Sequence, residues 1–138
     1  MTSELIMLIE DNPDDEALAT LALRENGFQS SIIIAHDGEE ALDILTGKYS
    51  EKITPDLILL DLKLPKISGL EVLKYIRNNP ETKHTPVVVL TTSVEDADIA
   101  NSYDNGANSY IRKPVNYNEF VEQIGYVVKY WFTCNKVI

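Results

Sequence analysis

Five side chains, each at the end of a short apolar run, have types suited to phosphate and cation chemistry. Leu5 to Ile9 runs into Glu10 and Asp11, Leu57 to Leu60 into Asp61, Val87 to Leu90 into Thr91, and Ser109 to Ile111 is followed by Lys113. Taken alone, Asp61 could equally start a turn or cap the next helix, because single motifs are ambiguous. Taken together, the set has a chemistry. Crowded carboxylates repel unless a cation neutralises them or protons are taken up. Hard oxygen ligands that leave room for water suit Mg²⁺, which commonly takes one or two carboxylates. A lysine and a hydroxyl opposite an aspartate suit a phosphoryl group, the ammonium pairing with one oxygen and the hydroxyl donating to another. Asp61 then reads as a carboxylate nucleophile that accepts phosphoryl from a donor.

Such a set meets only if the chain folds so that the strand ends converge. The apolar runs are short and bounded by polar or turn residues, as in strands buried on both faces of a sheet. Between them lie helical patterns. Asn12-Pro13 is an N-cap followed by proline at the first helical position, with Ala17, Leu18, Leu21 and Ala22 inward and Gly27 as the stop. Ser31 to Ala35 is a strand. Asp37 and Glu40 have capping-box spacing ahead of Ala41, Leu42, Ile44 and Leu45. Gly47 to Pro55 reads as a surface loop. Leu70, Val72, Leu73 and Ile76 form the next helical face, ending near Asn78-Asn79-Pro80. A short helix from Glu95 to Tyr103 is expected to turn Ile99 and Ala100 inward and to close at Asn105-Gly106. Asn116 caps a last helix to about Phe132. Strand and helix alternate five times, which argues a parallel sheet covered on both faces, with ligands at the carboxyl edge.

Composition narrows the classes. The 138 residues suit one domain, with ordinary hydrophobic content of 44% and charged content of 25%. A net charge of −10 disfavours nucleic-acid binding, which needs clustered Lys and Arg. The single Cys134 cannot close an intramolecular disulfide, so a cytoplasmic setting is the simplest expectation. No signal peptide or stretch of membrane-spanning length is apparent. His36 and His84 lie far in sequence from the acidic positions and read as surface or strand-end residues.

The constellation resembles the receiver domain of two-component response regulators: an acidic pair after the first strand, Asp after the third, Thr after the fourth, and Lys-Pro after the fifth. The separations of 30 residues from Asp61 to Thr91 and 22 from Thr91 to Lys113 match that family, while the 50 from Asp11 to Asp61 is several residues longer than in compact members. The excess is assigned to the Gly47 to Pro55 loop. The resemblance implies a flavodoxin-like (βα)5 doubly wound sheet of order 2-1-3-4-5. It implies Asp61 as phosphoacceptor, Mg²⁺ held by Glu10, Asp11, Asp61 and the carbonyl of Lys63, and Thr91 and Lys113 on the phosphoryl oxygens. Pro65 and Gly69 match the loop after the phosphoacceptor. Tyr110 falls at the family's aromatic switch position, paired with Thr91. A cis Lys113–Pro114 peptide is expected, which an X-Pro bond makes accessible.

Glu10 stands where an Asp is more frequent, Thr92 where many members have Ala, and Lys63 and Ser93 occupy positions that tune phosphate lifetime in the family. The implied partner is a sensor histidine kinase or phosphotransfer protein, with residues 1–138 a single receiver lacking an output domain. The long loop, the Asp61-Leu62-Lys63-Leu64-Pro65-Lys66 stretch and the aromatic last helix look like single-domain regulators that partner phytochrome-type kinases. In the last helix Phe120, Ile124, Val127, Val128 and Trp131 form a core stripe. Tyr117, Val121, Tyr126, Tyr130 and Phe132 lie off it, suggesting a homodimer or docking face near the last strand and helix. Alternatives are a Mg²⁺-dependent phosphohydrolase with an aspartyl nucleophile and a non-phosphorylated pseudo-receiver scaffold. The hydrolase typically needs a carboxylate where Lys63 stands. A flavin-binding protein of similar fold would need a phosphate-cradling loop where Glu10-Asp11-Asn12-Pro13 would repel phosphate.

Overall fold

In a computed structural model, which describes residues 4–134, the first apolar run forms strand β1 (Leu5–Ile9) inside the sheet. It pairs in parallel with β2 (Ser31–Ala35) on one side and β3 (Leu57–Leu60) on the other. Strands β4 (Val87–Thr91) and β5 (Ser109–Arg112) extend the sheet beyond β3, giving the order β2-β1-β3-β4-β5. This is the expected flavodoxin-like arrangement. Because β1 connects to β2 on one side while β3 lies on the other, the sheet has its switch point between β1 and β3, where a crevice opens at the carboxyl ends. Register aligns those ends: Ile9 lies opposite both Ala35 and Leu60, and Thr91 opposite Arg112.

Alternating strand residues feed two apolar layers. Met7, Ile9, Ile58, Leu60, Val87 and Val89 pack against α2 (Gly38–Thr46) and α3 (Gly69–Asn78) through Ala41, Leu45, Val72, Leu73 and Ile76. Ile6, Leu8, Leu57, Leu59, Val88 and Leu90 pack against α1 (Pro13–Glu25) and α5 (Tyr117–Lys129) through Ala19, Ala22, Leu23, Phe120, Ile124 and Val127. Caps act where the residue types imply. Asn12 Oδ1 accepts from the backbone N–H groups of Asp14 at 2.9 Å and Asp15 at 3.1 Å. Asp37 Oδ1 accepts from the Glu40 N–H at 2.7 Å, while the Glu40 carboxylate accepts from the His36 N–H at 3.3 Å. The segment from Gly47 to Asp56, where the extra length was placed, is loop between α2 and β3.

Four expectations are corrected. In α1, Ala17, Leu18 and Leu21 face solvent and Ala19, Ala22 and Leu23 are buried. Apolar residues surround most of this helix, so the stripe is set by its packing on α5. Helix α4 (Asp96–Asp104) buries only Ser102 fully; Ile99 is half-buried and Ala100 exposed, because α4 lies over the edge strand β5. The Lys113–Pro114 peptide is trans, the isomer that X-Pro bonds intrinsically favour by about 0.5–1 kcal/mol. Beyond α5 the chain widens into a π-helical turn, Tyr130–Cys134. There Phe132 stacks on Phe28 with ring centroids 5.9 Å apart, so it belongs to the packing rather than to a free face.

Candidate functional site

Each strand end delivers its residue through backbone hydrogen bonds. The Glu10 N–H donates to the Ala35 carbonyl at 2.9 Å, continuing the ladder one step past β1, and turns the side chain into the crevice. Asp11 lies one residue further out and is exposed. The Asp61 N–H donates to the Ile9 carbonyl at 3.1 Å, which ties the end of β3 to β1. The Lys113 N–H donates to the Thr91 carbonyl at 2.7 Å, bringing the end of β5 beside β4. Gly69, at the start of α3, makes this convergence possible. A Cβ there would sit 2.4 Å from the Asp61 carbonyl oxygen and 2.6 Å from Leu62 Cα.

As a result, carboxylate oxygens of Glu10, Asp11 and Asp61 lie within 4.8 Å of one another. Glu10 is 3% exposed and Asp61 8%. Lys113 closes the group: its ammonium hydrogen-bonds to Glu10, lies 3.1 Å from Asp15 Oδ2 and 3.6 Å from Asp61 Oδ2. Burial pushes the Glu10 carboxyl up from 4.5 to about 7; the Lys113 hydrogen bond opposes the rise and the Asp61 charge reinforces it. Burial alone would lower the Lys113 ammonium, but the Glu10 hydrogen bond and the charges of Asp61 and Glu10 hold it above the ordinary lysine value. Both shifts mark the site as over-supplied with negative charge in a poorly solvated place. The donor set of hard carboxylate oxygens, crowded within 4.8 Å, fits a divalent cation that would relieve their repulsion.

Asp15 was not singled out by sequence reasoning. On the first turn of α1 an acidic residue is unremarkable, because it complements the helix dipole. Only the fold shows that this turn faces Lys113.

Thr91 is fully buried, and its Oγ1 accepts from the Ser93 N–H at 3.3 Å. The Tyr110 hydroxyl donates to the Ser93 carbonyl at 2.9 Å, so the expected switch pair meets at one residue of the β4–α4 loop. The Lys63 N–H donates to Asp61 Oδ1 at 3.3 Å, and its ammonium points away to Asp98 Oδ2 at 3.6 Å. Thr92 is exposed. Away from the crevice, His36 lies between Glu16, at 2.9 Å, and Glu40, at 3.3 Å, on the surface; His84 and Cys134 are exposed.

The fold is a doubly wound parallel α/β sheet that gathers three carboxylates and a lysine at the carboxyl ends of its strands, with a buried threonine at the end of β4. The chain belongs to the response regulator receiver domain family of two-component systems, whose model matches residues 6–125. It is 38% identical over 130 residues to the response regulator Rcp1 of Synechocystis sp., covering 93% of this chain and 88% of that protein. It is 37% identical over 133 residues to the probable methanogenesis regulatory protein FilR2 of Methanothrix harundinacea, covering 96% and 86%. Among solved structures, it superposes on the phosphorylated cyanobacterial phytochrome response regulator RcpA with a TM-score of 0.92 at 38% identity, covering 99% of each chain. The Mn²⁺-bound form of Rcp1 superposes with a TM-score of 0.86 at 36% identity, covering 98% and 99%. No helix among the described residues is long and apolar enough to cross a membrane.

Proposed function

We propose that the protein is a single-domain response regulator whose Asp61 takes a phosphoryl group from the phosphohistidine of a sensor histidine kinase or phosphotransfer protein. The observation that carries this reading is the meeting of Asp61 with Glu10, Asp11 and Lys113 at one point of the crevice. Glu10, Asp11, Asp61 and the Lys63 carbonyl would hold Mg²⁺, which would neutralise the carboxylates and draw charge from the phosphoryl oxygens. A carboxylate oxygen of Asp61 attacks phosphorus as the donor's P–N bond breaks and the imidazole departs. Lys113 supplies a fixed positive charge beside the transferring group, and the Thr91 hydroxyl donates to one of its oxygens. The exposed Leu18 and Leu21 on α1, together with the exposed Val115 after Lys113, offer an apolar rim against which a donor can seat.

Signalling then runs through Thr91 and Tyr110, which share Ser93, toward β5 and α5. Tyr126 and Tyr130, exposed at 63% and 51%, offer a face for a second copy of the chain or for an output partner. This reading implies a cytoplasmic protein. The likeness to phytochrome response regulators supports a phytochrome-type kinase as donor.

The direct test is incubation with Mg²⁺ and a small phosphodonor, followed by intact mass, with Asp61→Asn as control. An acid-labile phosphoryl adduct on the wild type and none on the variant is expected. A folded wild type that binds Mg²⁺ yet gains no adduct would favour the pseudo-receiver scaffold. For the dimer, sedimentation of the wild type beside Tyr126→Glu/Tyr130→Glu is expected to show association in the first alone; a monomer in both argues against it.

A further inference from the structure

Asp98, on the first turn of α4, has no place in the chemistry above, yet its carboxylate touches both loops that flank the crevice. Oδ2 accepts from Ser93 Oγ at 2.5 Å and pairs with the Lys63 ammonium at 3.6 Å. Ser93 lies in the β4–α4 loop, where its carbonyl holds Tyr110 and its N–H bonds Thr91. Lys63 lies in the β3–α3 loop, where its N–H bonds Asp61. One carboxylate therefore links α4 to the loop after Asp61 and to the loop whose Ser93 hydrogen-bonds both Thr91 and Tyr110.

Helix α4 is the helix most dependent on such a link. Ser102 is its only fully buried residue, and Glu95 provides no side-chain cap. A helix held by polar contacts rather than by apolar burial opens at a small cost in free energy, so one carboxylate can decide where it sits.

We propose that Asp98 is a positioning residue that latches α4 against the crevice in the unphosphorylated protein, and that the latch opens when a phosphoryl group on Asp61 draws the Lys63 ammonium away. The second half rests on the phosphoacceptor reading; the first half does not. A phosphoryl group at Asp61 places new anionic oxygens beside the loop that bears Lys63, and Lys63 can neutralise those oxygens or Asp98 but not both. Loss of Lys63 leaves the Asp98 carboxylate on Ser93 alone. A Thr91 hydroxyl that turns to the phosphoryl group also gives up the Ser93 N–H, so both arms loosen together. The charge state of Asp61 would thereby be transmitted to α4 through side chains that never enter the reaction.

The test reads amide hydrogen exchange of segment 95–104 without any phosphodonor in the wild type, Asp98→Asn, Lys63→Gln and Ser93→Ala. Loss of a side-chain hydrogen bond to a charged group predicts exchange at least about tenfold faster in Asp98→Asn. Loss of the more exposed ion pair predicts about twofold in Lys63→Gln. Asp98→Asn combined with Lys63→Gln is expected to add nothing to Asp98→Asn alone, since both remove the same contact. Faster exchange in Lys63→Gln is the decisive result, because Lys63 lies on another loop. Unchanged exchange there, or effects that multiply in the double variant, would reduce Asp98 to a local helix-start charge and overturn the latch. Ser93→Ala keeps the test standing if Asp98→Asn fails to fold. In phosphorylated wild type the segment is expected to exchange as fast as in unphosphorylated Asp98→Asn; an adduct that leaves the segment slow overturns the release step. A wild type that takes no adduct would defeat the phosphoacceptor reading while leaving the latch measurement intact.

Discussion

Glu10→Gln tests the electrostatics of the crevice most sharply, because its sign is the opposite of what losing an ion-pair partner suggests. Burial and the nearby Asp61 charge raise the Glu10 carboxyl from 4.5 to about 7, even after the opposing effect of Lys113. A carboxyl raised in the folded state binds its proton more tightly there than in the unfolded chain. Its contribution to stability is therefore complete below about pH 4.5, declines as pH rises, and is gone above about 7. A rise of two to three pH units at 1.36 kcal/mol each makes the loss about 3 kcal/mol. Glutamine is nearly isosteric with the protonated carboxyl and does not titrate. In EDTA the two proteins should be about equally stable near pH 5, whereas near pH 8 the variant should be more stable by about 3 kcal/mol. Urea unfolding of both proteins across that range, at fixed ionic strength, measures the difference directly. A difference that stays constant with pH would refute the assignment of a buried, proton-retaining Glu10. Addition of Mg²⁺ near pH 8 should nearly close the gap, since a cation at a hundred times its dissociation constant stabilises the wild type by about 2.7 kcal/mol and the variant by much less.

Gly69→Ala should destabilise the fold by about 1–3 kcal/mol and slow phosphoryl uptake as well, because the new Cβ falls 2.4 Å from the Asp61 carbonyl; wild-type uptake in a folded variant would contradict this. Arg77→Ala should cost at least about 2 kcal/mol in urea unfolding, since the guanidinium donates to the carbonyls of Gly106 and Thr85, each at 2.8 Å, and to Asn108 Oδ1 at 2.7 Å. Asp37→Ala should lose about 1 kcal/mol through the α2 cap. The Glu40 N–H holds the Asp37 carboxyl below its usual value, so the cap's contribution is full above pH 3.8 and fades as pH falls through the lowered value. The gap between wild type and variant should accordingly narrow in acid.

The strands and their convergence were legible because β1, β3 and β4 are runs of buried residues with a polar residue placed at the carboxyl end. That pattern survives without knowledge of neighbours. Leu57 to Leu60 has only one environment that suits it, the middle of a covered sheet, and Asp61 is carried to the edge as a consequence. Residues on partly buried helices were read less well. In α1, apolar side chains occur on nearly every face, so periodicity could not distinguish the Ala19–Ala22–Leu23 side from the Leu18–Leu21 side. Phe132 looked like a free aromatic until its stacking on Phe28, more than a hundred residues away in the chain, became visible.

What the sequence concealed at the crevice has one physical origin. Asp15 and Asp98 each sit on the first turn of a helix, where an acidic residue already has a sufficient local reason to be. Their second partners, Lys113 and Lys63, come from distant strands' ends and are assigned to them only by the crossing of chain segments in space. The two differ in consequence. Asp15 adds a third carboxylate to a lysine already facing Glu10 and Asp61, which keeps the Lys113 ammonium charged and in place whether or not Glu10 is ionised. Asp98 meets a lysine whose side chain is largely exposed and therefore free to leave. Geometry thus separates the two cations of the site: Lys113 is anchored by several carboxylates and suits a fixed electrostatic role, whereas Lys63 is held by one and suits a movable one. Exchanging their surroundings gives the contrast a test. Asp15→Asn should leave α4 exchange unchanged while slowing phosphoryl uptake at Asp61, and Asp98→Asn should do the reverse to α4 without reducing uptake. Equal effects of both variants on both readouts would show that the crevice responds as one electrostatic unit, with no division of labour between its lysines.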